Sequence, residues 1–234
     1  MGQKGRALFL ITALAFSCSA NVFAENAAPP TPAKIELNRF EDSIKAYEES
    51  DKKKLPAPGG TEFIGSSTIA LWTTIADDLK ELKAFGRGFG GSTIPEATYY
   101  VDRIVTKYKP SKVVLYSGTN DIADGASGKQ VFANFVKFAN KVRSELPKTN
   151  IYFISMSMAP SRIQFESQFK EGNRLIENYC KKTPGLHYIN LLPAMQNKDG
   201  KPIEELFGPD RLHMKRAGYE IWIRELKKAI PANT

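Results

Sequence analysis

Val113-Val114-Leu115-Tyr116-Ser117-Gly118-Thr119-Asn120-Asp121 sets four consecutive apolar residues directly before a string of turn formers. A run this short, with a β-branched pair and no polar alternation, reads as a strand buried on both faces. Similar runs occur at Phe63-Ile64, Ala84-Phe85, Ile151-Tyr152-Phe153-Ile154 and His187-Tyr188-Ile189. Between them apolar residues recur at helical spacing. Ile94, Ala97, Val101, Ile104 and Tyr108 predict one connecting helix, and Val131, Phe135, Ala139, Val142 and Leu146 predict another. Phe169, Ile176 and Tyr179 predict a third, and Ala217, Ile221 and Leu226 a last. Ahead of the first strand, Phe40, Ile44 and Tyr47 mark a helix that ends before the breaker Pro56-Ala57-Pro58-Gly59-Gly60. Strands separated by helices predict an α/β fold, a three-layer α/β/α sandwich around a five-stranded parallel sheet, flavodoxin-like. Sheets of this kind bind ligands beyond the carboxyl ends of their strands, so the loops after the strands are where chemistry is expected.

The composition agrees with one globular domain and a short appendage. Of 234 residues, 42% are hydrophobic and 25% charged, which excludes a disordered chain and a large multidomain assembly. After residue 30 no apolar run approaches the roughly 18–20 residues that span a bilayer. Lys and Arg number 33 against 25 Asp and Glu, a formal +8 that favours an acidic partner without naming one.

The N-terminus has the three-part layout of an export signal. A basic start (Lys4, Arg6) precedes an apolar stretch from Ala7 to Phe16, and Val22-Phe23-Ala24 supplies a small-residue cleavage site. Residues 1–24 are therefore expected to be a signal peptide, 25–36 a Pro- and Ala-rich flexible lead, and 37–234 the functional domain, exported to the periplasm or secreted. An uncleaved anchor, or lipidation at Cys18, are the competing readings. Cleavage would leave Cys180 as the single thiol, so no internal disulfide is expected. Cys180 stands in a helical pattern with Ile176 and Tyr179, where packing is a better account than nucleophilic chemistry.

Four segments could carry chemistry: Gly65-Ser66-Ser67-Thr68, Gly88-Phe89-Gly90-Gly91-Ser92-Thr93, Gly118-Thr119-Asn120-Asp121 and Asp210-Arg211-Leu212-His213. Alone each is a turn, but the sheet reading brings the first three to one crevice. A nucleophilic hydroxyl needs a base, and the histidines are His187 and His213. His187 begins an apolar strand with no carboxylate beside it, so a structural role is expected. His213 follows Asp210 by three residues, close enough for the carboxylate to hold one ring nitrogen while the other faces a serine. Asp210 could equally cap the helix that contains Ile221.

Together the four segments resemble the SGNH hydrolases, the GDSL-type esterases, in the branch whose first block reads Gly-Ser-Ser. The resemblance runs in order and spacing from Phe63 to about Trp222. It implies Ser67 as nucleophile, Asp210 and His213 as the remaining triad members, and an oxyanion hole from Ser67, Gly91 and Asn120. Two positions depart from the common pattern. Ser66 replaces the aspartate before the nucleophile, which leaves it as a rival, and Gly86 stands where many members have an asparagine. The implied reaction is hydrolysis of a short-chain acyl or acetyl ester through an acyl-enzyme, with no cofactor and no metal. A small-molecule or glycan-borne ester is the expected partner, without nucleic acid or stable membrane insertion. A non-catalytic exported module binding an acyl or sugar ligand, and an acyltransferase using the same triad, are the alternatives.

Other motifs are weaker. Gly86-x-Gly88-x-x-Gly91 matches the dinucleotide fingerprint, but it follows the second strand and the acid expected about 20 residues on is missing. Two distant histidines and the one cysteine that cleavage would leave make a poor zinc set. Trp72, Met156, Met158 and Arg162 follow strands or the nucleophile and are pocket candidates, with ordinary packing the competing reading.

Overall fold

All five apolar runs form strands: β1 Thr61–Gly65, β2 Ala84–Gly88, β3 Lys112–Tyr116, β4 Asn150–Ile154 and β5 Leu186–Ile189. They pair in parallel in the order β2-β1-β3-β4-β5, the flavodoxin-like order. The computed structural model describes residues 1–2 and 36–232. The expected signal peptide beyond its first two residues, and the lead up to residue 35, lie outside the described residues. The chain divides into two units, 1–30 and 31–234, and every described element falls in the second.

The helices are α1 Glu41–Lys53, α2 Ser67–Ala70, α3 Ile75–Asp78, α4 Ile94–Tyr99, α5 Val101–Ile104 and α6 Thr119–Ala123. They continue with α7 Gly128–Glu145, α8 Glu166–Lys182, α9 Leu192–Met195 and α10 Arg216–Ala229. The two-residue period of a strand sends neighbouring side chains to opposite faces, and the register turns that into two cores. Ile64, Val113, Leu115, Ile151 and Phe153 pack on one face with α1, α4, α5, α7 and α8. Phe63, Val114, Tyr116, Tyr152 and Ile154 pack on the other with α2, α3, α9 and α10. This is the expected three-layer sandwich. Each fully buried large side chain contributes about 1.5–3 kcal/mol, which makes the two cores the main stabilising term.

Two helical expectations need correction. The stripe from Ile94 to Tyr108 is not one helix but α4, α5 and a 3-10 turn at Thr106–Tyr108. The break falls at Tyr100 (φ −94°, ψ 3°), whose fully buried ring packs edge-on against Phe89 at 5.9 Å. Val101, Ile104 and Val105 are β-branched and weak helix formers, so packing decides the local geometry. In α10 the buried face is Gly218, Tyr219, Trp222 and Leu226, with Ala217 exposed. Of the stripe Ala217, Ile221 and Leu226, Leu226 is buried and Ile221 half-buried, and Tyr219 and Trp222 supply the larger apolar surfaces in place of Ala217.

Candidate active site

The chain leaves β1 towards β2 and then crosses back to β3 on the other side, so the carboxyl ends of β1 and β3 flank a switch point. Gly65 makes the first turn there. A Cβ on Gly65 would lie 2.0 Å from the Tyr116 carbonyl oxygen, so no other residue permits this approach of β1 to β3. Ser66 follows in extended conformation and is buried (2% exposed), with its N–H donating to the Tyr116 carbonyl at 3.2 Å. Ser67, half-buried, is the first residue of α2.

Ser67 Oγ lies 2.9 Å from His213 Nε2, and His213 Nδ1 lies 2.6 Å from Asp210 Oδ2. Of the two adjacent serines, Ser67 is therefore the one that meets the histidine. The Asp210 carboxylate also accepts the Leu212 and His213 backbone N–H groups, each at 3.0 Å on Oδ1. Those backbone bonds first, and His213 second, hold its carboxyl down to about 2. Gly208 N–H to His213 O at 2.8 Å and the Phe207–Met214 bridge close the loop that carries the pair. The cap of α10 is Lys215, so Asp210 does not start that helix. The alternative reading of Asp210 is corrected: its side chain shapes the turn into His213.

The loop after β3 brings Thr119 and Asn120 to the crevice, and the loop after β2 passes Ser67, where a Cβ on Gly90 would lie 3.8 Å from the Ser67 Cβ. Gly91 has φ +81°, a conformation that L-residues rarely adopt, just before α4. Asn120 Nδ2 donates to the Ser92 carbonyl at 3.0 Å, joining the loop after β3 to the loop after β2. Three residues outside the predicted set fix this region. Asp121 is buried (4% exposed) and accepts the Ile94 N–H at 3.1 and 3.2 Å; burial pushes its carboxyl up to about 6. Glu96, fully buried, accepts both the N–H and the hydroxyl of Thr93 at 2.8 Å, a capping box at the start of α4. Arg39 forms an ion pair with Glu96 and donates from Nη2 to the Gly91 carbonyl at 3.0 Å. The Thr93-x-x-Glu96 spacing was a readable signal for the capping box. Nothing local announces a partner for Glu96 lying 57 positions earlier.

Arg162 lines the crevice with Ser67, Asn120 and His213. Trp72, Met156 and Met158 do not; they are buried in the cores at 0–4% exposure. Gly86 lies inside β2 opposite Phe63, outside the turn, so its departure from the common pattern does not touch the loop. With Gly86 and Gly88 both within β2, the dinucleotide fingerprint is also not a single loop. His187 stacks on Tyr152 at 4.4 Å and lies 3.0 Å from Asn150 Oδ1, and burial lowers its pKa. Burial pushes the Cys180 thiol up to about 12, as befits a packed residue.

The crevice holds a hydroxyl, an imidazole and a carboxylate in hydrogen-bonded series, with Asn120 lining the same cavity. Comparison with known proteins points to one family. The sequence profile of the GDSL-like lipase/acylhydrolase family matches residues 61–221. No curated protein sequence matches the chain. Among solved structures, a protein from Streptococcus pneumonia assigned provisionally as a platelet activating factor is similar at TM-score 0.72 and 19% identity, over 82% of this chain and 92% of that one. A GDSL-like lipase from Bacteroides thetaiotaomicron is similar at 0.64 and 22%, over 83% and 96%. An acetyl-xylooligosaccharide esterase from Geobacillus Stearmophilus, solved as a point variant, is similar at 0.58 and 14%, over 74% and 95%. At these identities the structural likenesses speak for the fold. The family match spans well over half of the chain, and the chain therefore belongs to the GDSL-like lipase/acylhydrolase family of ester-hydrolysing enzymes.

Proposed function

We propose that Ser67 is the nucleophile of a short-chain esterase, with His213 as its base and Asp210 as the group that orients and charges-balances the imidazole. The observation that carries this reading is the unbroken series Ser67 Oγ, His213, Asp210 at 2.9 and 2.6 Å. His213 Nε2 takes the hydroxyl proton as Oγ attacks the ester carbonyl, and the ionised Asp210 stabilises the imidazolium that forms. The Ser67 and Gly91 backbone N–H groups and Asn120 Nδ2 receive the oxyanion. Collapse of the tetrahedral species breaks the ester C–O bond, and His213 returns the proton to the leaving alcohol. A water molecule, deprotonated by His213, then releases the acid and restores Ser67.

A small acyl group suits the crevice, whose lining by Ser67, Thr119, Asn120, Ser157 and Arg162 is largely polar and offers no long apolar groove. The fold shared with an acetyl-xylooligosaccharide esterase makes an acetyl ester carried by a glycan one concrete form of such a substrate. Export is part of the same proposal, supported by the basic start, apolar stretch and Val22-Phe23-Ala24 site. N-terminal sequencing of the protein recovered from producing cells should begin at Glu25, and an intact Met1 would count against export.

The test of the reaction is kcat/KM on para-nitrophenyl acetate. Ser67→Ala and His213→Ala should each lose nearly all turnover, and Asp210→Asn should lose roughly 10²–10⁴-fold. Turnover that survives unchanged in both Ser67→Ala and His213→Ala would sink the reading.

A further inference from the structure

We infer that Arg162 selects substrates carrying an anionic group, a carboxylate or a phosphate, close to the scissile ester. The inference rests on the hydrolytic reading above and narrows its substrate class. Among the described residues, every arginine except Arg162 and Arg174 has a carboxylate or carbonyl acceptor on its guanidinium. Arg174 is exposed on α8 and outside the crevice. Arg162 is half-buried, and its guanidinium has neither ion pair nor acceptor although it lines the crevice beside Ser67, Asn120 and His213.

The surroundings leave that charge unanswered. No Asp or Glu lines the crevice, and no Lys or second Arg does. Asp210, the nearest acid in the sequence of the loop, is committed to His213 and two backbone N–H groups. The platform beneath Arg162 is fixed: its N–H bonds the Ala159 carbonyl at 2.9 Å, and the preceding Ser161 N–H bonds the Arg211 carbonyl at 3.0 Å. The backbone that carries Arg162 is thereby tied to the loop that carries His213. Its planar set of donors matches the two oxygens of a carboxylate or phosphate, and partial exclusion from water strengthens such a bond. A substrate anion would supply the acceptor that the protein withholds, while the chain's excess of Lys and Arg over Asp and Glu adds attraction at longer range.

The test uses two matched pairs of esters, so that charge on either side of the bond is covered. Para-nitrophenyl hemisuccinate against para-nitrophenyl butyrate places it in the acyl group; para-acetoxybenzoate against phenyl acetate places it in the alcohol. For each pair the ratio of kcat/KM, charged over neutral, is measured in the wild type, Arg162→Gln, Arg162→Lys and Arg174→Gln. In at least one pair the ratio should fall roughly 10- to 100-fold in Arg162→Gln, the worth of one charge-assisted contact. Arg162→Lys should recover part of it, and Arg174→Gln should leave it at the wild-type value. Ratios unchanged in both pairs, with neutral-ester turnover still dependent on Ser67, overturn the role of Arg162 and leave the esterase standing. If the wild type turns over no ester at all, the hydrolytic reading fails and takes this inference with it.

Discussion

Asn120 and Asp121 are adjacent in sequence, yet one is half-exposed at the crevice and the other is buried beneath it. Asn120 holds Nδ2 on the Ser92 carbonyl, a neutral acceptor that a developing oxyanion would outbid. Asn120→Ala should therefore lower kcat roughly 10²–10³-fold with a much smaller change in KM. Steady-state kinetics alongside a melting curve separates this from a folding defect. Asp121 is a stability residue, because burial raises its carboxyl from 3.8 to about 6. An acid raised on folding contributes stability that is complete below its unfolded value and lost as pH rises through the folded one. The loss amounts to roughly 3 kcal/mol between about pH 4 and pH 7. Asp121→Asn keeps an acceptor for the Ile94 N–H and cannot ionise. Urea midpoints across that range should slope less in the variant than in the wild type; equal slopes would contradict the assignment.

At the scale of elements, α4 is clamped at its N-terminus from two sides, by Asp121 after β3 and by the Arg39–Glu96 pair. Because Arg39 also bonds the Gly91 carbonyl, the chain ahead of α1 reaches the loop that carries the proposed oxyanion donor. Arg39→Met strands a buried carboxylate and should cost about 1–3 kcal/mol, the lower end reflecting the half-exposed arginine. Arg39→Met combined with Glu96→Gln should recover part of that cost in denaturant melts, whereas simple additivity would deny the coupling. The five strands were legible because each is a short apolar run closed by Gly, Ser or Asn. The α2, α3, α6 and α9 helices were not, since four or five residues complete barely one turn and show no period. The split between α4 and α5 was hidden for another reason: Ile94, Ala97, Val101 and Ile104 keep the helical stripe across a break made by tertiary packing of Tyr100. At the site, the resemblance carried by the ordered loops implied Ser67, Asp210 and His213, which lie in one hydrogen-bonded series. Arg39 and Asp121 could not be found that way, because their roles exist only after distant elements meet.

For the whole molecule, stability resides in the two cores on either side of the sheet, with Cys180 free and buried among the described residues. Trp222 anchors the face beneath the crevice, its ring 4.7 Å from Tyr116 and 6.3 Å from Trp72. Trp222→Ala should destabilise by about 3–5 kcal/mol, read from the urea midpoint. Reductant should leave the midpoint of the wild type where it is. The same architecture places the loops of β1, β2 and β3 and the Asp210–His213 loop around one serine, and that convergence is the centre of the account. Its most direct measurement is peptide mapping by mass spectrometry after the folded protein meets a fluorophosphonate, which captures an activated serine whatever the natural ester. The account predicts one adduct, on Ser67, that disappears in His213→Ala. An adduct on Ser66, or none on a protein that melts cooperatively, would contradict it.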